Sequence, residues 1–253
     1  MNTIISKLMT ANVVSVTPST TLDQCAALMD ERRISSLVVT DQGLPIGILT
    51  ERDMLSALSC QLSRSTAVER VMGKPLVTVR DDVSYREAVR LFGKHSIRHL
   101  VVVDLDGKLI GIISETDLCR KGGIAEMLGQ RSIASAMDQN PVLLPHDTDI
   151  SAAAMWMGRG RQSSVFVVTG ARPVGILTER DMVKQYRQGG VHDGLAEGIM
   201  SSPVATISSE QTLIEAAQQM TSMSIRHLAV VDGKGDIIGQ LSENDLLKGV
   251  DVV

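Results

Sequence analysis

Apolar and polar positions follow two rhythms along the chain, and residues 75–117 show both. Pro75-Leu-Val-Thr-Val79 is a short β-rich run that predicts a strand. Asp81-Asp-Val-Ser84 opens a stretch in which Ala88, Leu91 and Phe92 recur at helical spacing on one face. Residues 97–103 return to a strand pattern. Asp104-Leu-Asp-Gly107 is a turn carrying the Asp-Gly pair that hairpins favour, and residues 109–113 form the strand after it. Ser114-Glu-Thr-Asp117 begins a second helix. The predicted order is β-α-β-β-α.

That order is repeated. Gly47-Ile-Leu-Thr-Glu-Arg-Asp-Met54 recurs letter for letter in the other half of the chain as Gly175-Ile-Leu-Thr-Glu-Arg-Asp-Met182. Ser96-Ile-Arg-His-Leu100 recurs at the same shift as Ser224-Ile-Arg-His-Leu228, and Met9 and Met72 are matched by Met137 and Met200. Each half is itself double, because Asp53, Asp117, Asp181 and Asp245 are evenly spaced. Each follows a glycine, two mostly apolar residues and a hydroxyl; only Gln240 breaks the apolar rule. The chain therefore divides into repeats at 1–64, 65–128, 129–192 and 193–253. A short sheet with helices on one face cannot cover both sides alone, so the repeats are expected to associate around shared cores.

Composition narrows the chemistry. Aromatics are only 2% of 253 residues, so the core is aliphatic and base stacking on aromatic platforms is disfavoured. A net charge of −4 with no long basic run argues against nucleic acid. No apolar run is long enough to span a membrane, and the N-terminus lacks a signal-peptide pattern. Cys25, Cys60 and Cys119 are far apart and in no metal spacing, which fits reduced thiols in a cytoplasmic protein.

The glycine–apolar–apolar–Thr/Ser-x-x-Asp signature, the leading methionines and the four-fold register resemble the cystathionine-β-synthase (CBS) domain family. The resemblance covers about residues 8–250. It implies a mixed α/β fold of four CBS repeats arranged as two pairs, 1–128 and 129–253, each a Bateman module with clefts between its repeats. Such pairs often stack into a flat disk. Family members bind AMP, ADP, ATP, S-adenosylmethionine or related adenosine compounds in those clefts.

Two readings of the motif residues follow. Thr50, Ser114, Thr178 and Ser242 are expected to cap helices, with Asp53, Asp117, Asp181 and Asp245 at the third helical position. A carboxylate at a helix start can also accept ribose hydroxyls, and a free helix N-terminus can meet a phosphate. Arg98-His99 and Arg226-His227 occur only in repeats two and four; repeats one and three have Ser35-Ser36 and Ser163-Ser164. Core packing alone gives no reason to place an arginine and a histidine beside a strand of valines, whereas phosphate binding does. Thr78 and Thr206 sit in the first strand of the same repeats, where Ser15 and Leu143 stand in the others.

The expected ligand sets are thus Thr78, Arg98, His99, Ser114 and Asp117, with Thr50 and Asp53, and Thr206, Arg226, His227, Ser242 and Asp245, with Thr178 and Asp181. Either repeat of a pair can supply the ribose carboxylate. Arg159 and Arg161 read as solvated turn residues, and His146 and His192 as surface residues.

No Walker loop, G-x-S-x-G or Cys/His nucleophile pair is present, so catalysis and a required cofactor are not expected. The function expected is a regulatory module that senses an adenine nucleotide and passes occupancy on as a conformational change. A homodimer is the expected assembly. The apolar end at residues 249–253 suggests the sensory part of a longer signalling protein. The alternative is an oligomerisation scaffold with empty or vestigial clefts.

Overall fold

Every repeat realises the β-α-β-β-α order in the computed structural model, which describes residues 3–160, 162–188 and 194–250. Repeat one runs β1 (Ser15–Val16), α1 (Leu22–Arg32), β2 (Ser36–Asp41), β3 (Leu44–Thr50) and α2 (Glu51–Ser59). Repeat two runs β4 (Thr78–Arg80), α3 (Tyr85–His95), β5 (His99–Val103), β6 (Leu109–Ser114) and α4 (Glu115–Lys121), followed by the short α5 (Ala125–Leu128). Repeat three contributes β7 (Leu143–Pro145), α6 (Ile150–Gly160), β8 (Ser164–Thr169), β9 (Arg172–Thr178) and α7 (Glu179–Arg187). Repeat four contributes β10 (Thr206–Ser208), α8 (Leu213–Met223), β11 (His227–Val231), β12 (Ile237–Ser242) and α9 (Glu243–Lys248). Arg161, His192 and residues 251–253, singled out above, lie outside the described residues.

Each repeat makes one three-stranded sheet. Its first strand pairs parallel with the second through the helix between them, and the second and third form an antiparallel hairpin. The first helices of repeats one, two and four start on hydroxyl caps: Thr21 accepts from the Gln24 amide, Ser84 from Glu87 and Thr212 from Glu215. Arg33, Ser96 and Ser224 end these helices in the left-handed region, with φ of 52°, 52° and 56°. That turn delivers the chain into the second strand, and so positions residues 98–99 and 226–227.

Two compact units result. One, the even unit, holds residues up to 12, 77–141 and from 204 onward; the odd unit holds 13–76 and 142–203. In the even unit Tyr85, Phe92, Leu100, Val102 and Ile113 of repeat two share one core with Leu213, Met220, Leu228 and Leu241 of repeat four. In the odd unit Leu22, Met29, Leu37 and Leu49 of repeat one share another with Met157, Val165, Leu177 and Tyr186 of repeat three. Each shared core thus joins repeats that are not neighbours in sequence. The helical stripe Ala88, Leu91 and Phe92 packs in this core as the periodicity predicts, with Leu91 only partly buried.

The segments leading into the repeats are exchanged between sequence neighbours. Residues ahead of repeat one dock on repeat two, where Thr10 bridges Ile112; residues ahead of repeat two dock on repeat one, where Gly73 bridges Ile48. Repeats three and four do the same through Asp138–Gln240 and Ser201–Ile176. The leading methionines explain the glycine of the motif. Met72 lies over Gly47, Met9 over Gly111, Met200 over Gly175 and Met137 over Gly239. A Cβ on Gly47 would stand 2.4 Å from the Met72 sulfur.

Gly122 is a stricter case. A Cβ there would lie 2.2 Å from the Tyr85 ring and 2.4 Å from the Leu118 carbonyl oxygen, neither of which can turn aside. At Gly111 the obstacle is the flexible Met9 thioether, 2.5 Å away. Gly122→Ala is therefore expected to lower the unfolding free energy by about 1–3 kcal/mol, and Gly111→Ala by clearly less. Equal shifts in urea midpoint for the two variants would contradict this packing.

Candidate functional site

Strand register sorts the candidate residues by face. Thr78 pairs with Val101 in the parallel ladder, and His99 pairs with Ser114 across the hairpin. Alternation puts His99 and Val101 on one face, so Thr78, His99 and Ser114 share it. Leu100 and Val102 point the other way, into the helical core. Repeat four is the same: Thr206 pairs with Ala229 and His227 with Ser242. Repeats one and three present Ser36 and Ser164 where the histidines stand, and Ser164 is buried with an unpaired hydroxyl.

All four Thr/Ser-x-x-Asp elements are reciprocal capping boxes. The Asp53 Oδ2 accepts from the Thr50 amide at 2.8 Å and from its hydroxyl at 2.6 Å. Asp117 does so from Ser114 at 2.9 and 2.6 Å, Asp181 from Thr178 at 2.9 and 2.7 Å, and Asp245 from Ser242 at 3.0 and 2.6 Å. The other oxygen of three of them meets a lysine: Lys121 at 2.7 Å from Asp117, Lys184 at 3.7 Å from Asp181 and Lys248 at 3.3 Å from Asp245. Burial pushes the Asp53 carboxyl above its ordinary range, against the pull of the Thr50 hydrogen bonds. Thr50, Asp53, Thr178 and Asp181 belong to the odd unit, and the remaining candidates to the even unit.

Sequence reasoning missed the residue between cap and aspartate. Glu51, Glu115, Glu179 and Glu243 open the second helix of each repeat, and all are buried, at 1–5% exposure. Each backbone amide donates to the residue that enters the second strand: Glu115 to the Arg98 carbonyl, Glu243 to Arg226, Glu51 to Ser35 and Glu179 to Ser163. The signal was in plain view as a glutamate at the same place in all four repeats, but a first-turn acid reads locally as a solvated helix-dipole partner.

The two units answer these carboxylates differently. In the odd unit, Arg52 Nε reaches Glu179 at 3.1 Å and Arg180 Nε reaches Glu51 at 2.9 Å, a reciprocal exchange between α2 and α7. In the even unit the same positions are Thr116 and Asn244. Thr116 donates to Glu243 at 2.5 Å and Arg120 Nε reaches it at 3.2 Å; Glu115 accepts from the Asn244 side-chain amide, which carries no charge. Burial raises Glu115 to about 7, offset in part by the Asn244 hydrogen bond and by the Arg98 charge. Burial raises Glu243 too, against Thr116, Arg120 and Arg226. Cys119 beside them is pushed well up, chiefly by burial.

This gives Arg98 and Arg226 a role that packing patterns did not suggest, since their charge falls on buried carboxylates. Arg98 stands just ahead of β5, where its charge bears on Glu115, while the register puts His99 on the face of Thr78 and Ser114. The odd unit also has a cavity of about 340 Å³ whose lining includes Met29, Arg33, Ile34, Arg180 and Val183.

The profile described as CBS domain matches residues 5–60, 68–122, 131–187 and 196–251. The chain belongs to the CBS domain family. An uncharacterized protein of Methanocaldococcus jannaschii, MJ1404, is 25% identical over 98% of this chain, which spans 62% of that relative's length. The CBS domain-containing protein YhcV of Bacillus subtilis is 34% identical over 44% of this chain and 79% of its own. The crystal structure of protein MJ1225 from Methanocaldococcus jannaschii superposes with a TM-score of 0.87 at 22% identity, covering 97% of this chain and 99% of that one, a likeness of fold. Among the described residues of this CBS protein, no helix is long and apolar enough to cross a membrane, and no cluster of three metal-ligating side chains occurs.

Because folding raises the proton affinity of Glu115, the neutral carboxyl favours the native state. Its burial cost is absent below the unfolded carboxyl's value of about 4.3 and complete above about 7. Glu115→Gln is expected to stabilise the protein at pH 8, with an upper bound of about 4 kcal/mol at 1.4 kcal/mol per pH unit, and to do little at pH 4. Denaturant titrations at both pH values check the sign; a variant less stable than the parent at pH 8 would contradict it.

Proposed function

We propose that this CBS protein is a regulatory ligand-sensing module whose even unit binds adenine nucleotides of the AMP, ADP and ATP class. The observation that carries this reading is the placing of Thr78, His99 and Ser114 on one sheet face in repeat two, matched by Thr206, His227 and Ser242 in repeat four. In each set two hydroxyls and an imidazole stand together, and an arginine comes one residue earlier. Such a set supplies donors for phosphate oxygens, with Arg98 or Arg226 as the charged partner. Asp117 and Asp245 each hold one oxygen in a cap and offer the other, now on a lysine, to ribose hydroxyls. Thr50, Asp53, Thr178 and Asp181 offer the same cap chemistry in the odd unit without the Arg-His step.

Occupancy acts by differential affinity: a nucleotide that binds one arrangement of the repeats better shifts the population toward it. The proposal extends to Bateman modules at 1–128 and 129–253 in addition to the shared cores that join repeat one with three and two with four, to a homodimer, and to a signalling domain downstream in the same or another chain. A cytoplasmic setting agrees with three free cysteines. No catalytic role or required cofactor is proposed, since the CBS matches take up most of the chain.

One observation favours a second reading, a scaffold whose clefts bind nothing. The charges of Arg98 and Arg226 bear on Glu115 and Glu243, a structural use that needs no ligand. Thermal unfolding with adenosine, AMP, ADP, ATP, S-adenosylmethionine and GTP separates the two. A nucleotide at 100 times its dissociation constant adds about 2.7 kcal/mol. Arg98→Ala and Arg226→Ala are each expected to weaken AMP about tenfold or more and adenosine much less. Loss of both ligands alike would refute the phosphate assignment, and no shift with any ligand, in protein cleared of copurified nucleotide, would favour the scaffold.

A further inference from the structure

The even unit answers its buried carboxylates with different side chains from the odd unit. Where Arg180 meets Glu51, the even unit has Asn244 meeting Glu115 through a neutral amide. Asn244 of α9 hydrogen-bonds to Glu115, and the charges of Glu243 and Lys248 on α9 and of Arg98 ahead of β5 act on it, with Cys119 on its own helix. Of these only Arg98 and Lys248 carry positive charge toward it, and Glu243 opposes them. Arg98 is also tied to Glu115 through the backbone, its carbonyl accepting the Glu115 amide at 3.1 Å.

We infer that Arg98 is shared between Glu115 and the bound anion, so that phosphate binding in the even unit is coupled to uptake of a proton by Glu115. This rests on the phosphate reading of Arg98 proposed above. A phosphate on the guanidinium cancels the field that keeps the neighbouring carboxylate ionised and adds negative charge near it. The buried carboxyl then takes a proton from solvent and stays hydrogen-bonded to Asn244 as the neutral acid. By linkage the converse holds: ionising Glu115 in the free protein ties Arg98 to it and weakens the anion. Burial pushes Glu115 up to about 7 in the free protein, so the effect falls in the neutral to mildly alkaline range. Glu115 is thereby a positioning residue for the ligand, acting through Arg98. The odd unit lacks this device, since Glu51 and Glu179 are held by Arg180 and Arg52, and serines stand where Arg98 and Arg226 do.

The test is isothermal titration of the full chain with AMP and with adenosine from pH 7 to pH 9, following the AMP step that Arg98→Ala removes. The AMP phosphate, with a second pKa of about 6, is dianionic throughout that range. The dissociation constant for AMP is expected to rise at least about fivefold across it, and by no more than tenfold per pH unit, while that for adenosine stays level. Glu115→Gln is expected to flatten the AMP profile. Asn244→Arg, which installs in the even unit the ion pair seen between Arg180 and Glu51, is expected to flatten it as well and serves if the glutamine variant folds poorly. A level AMP profile in the parent protein, or a slope that survives both substitutions, overturns the coupling but leaves nucleotide binding intact. Absence of binding by AMP and adenosine alike overturns the nucleotide reading and the coupling together.

Discussion

A carboxylate buried at the start of a helix has to be answered from within its own unit, because water cannot reach it. Every repeat places one there, directly after the capping hydroxyl. Taking such a charge out of water costs several kcal/mol per ion, and the geometry of the helix pairs follows from how that cost is met. In the odd unit the answer is reciprocal, each helix placing an arginine on the glutamate of the other. This pins α2 against α7 in one register, since sliding either helix would strand two charges at once. The apolar core around Leu49 and Leu177 lies in the same unit as this reciprocal pair.

The even unit keeps the same backbone plan with a weaker solution. Thr116 and Asn244 take the places of the two arginines, Arg120 reaches Glu243, and positive charge reaches Glu115 from the strand approach. The residues that distinguish the even repeats in sequence, Arg98 and Arg226, are thus connected to the residues that distinguish them in packing. Two substitutions at the helix and two at the strand entry form one correlated change. A site that uses Arg98 or Arg226 for a ligand draws on this charge balance, and the ionisation of the buried acid responds.

Much of the fold was legible in the sequence, because a motif recurring at a fixed interval, hydroxyl caps and an Asp-Gly turn are signals that can be read along the chain. Strand and helix limits in repeat two differ from expectation mainly at the first strand, observed at Thr78–Arg80 rather than over residues 75–79. Which repeats share a core was not legible. All four first helices carry the same kind of apolar stripe, and nothing along the chain says which partner a stripe will meet. The site was legible in part for the same reason. The capping role of Asp53, Asp117, Asp181 and Asp245 follows from neighbours three residues away. The partner of Glu51 is Arg180, in the other half of the chain, so its burial left no local mark. Arg98 could be seen only as an oddity beside valines.

The exchanged leading segments and the interleaved units bear on how the chain emerges from the ribosome. Repeat one cannot complete its core with the residues that follow it directly. Its helices wait for repeat three, and the segment before it waits for repeat two. The odd unit is whole only after residue 203 has been made, and the even unit only when repeat four is present. Contacts this distant in sequence slow folding and leave apolar helix faces exposed meanwhile. During synthesis the nascent chain therefore carries half-covered repeats, a natural client for holdase chaperones, and a cut between the halves removes a partner from both cores at once.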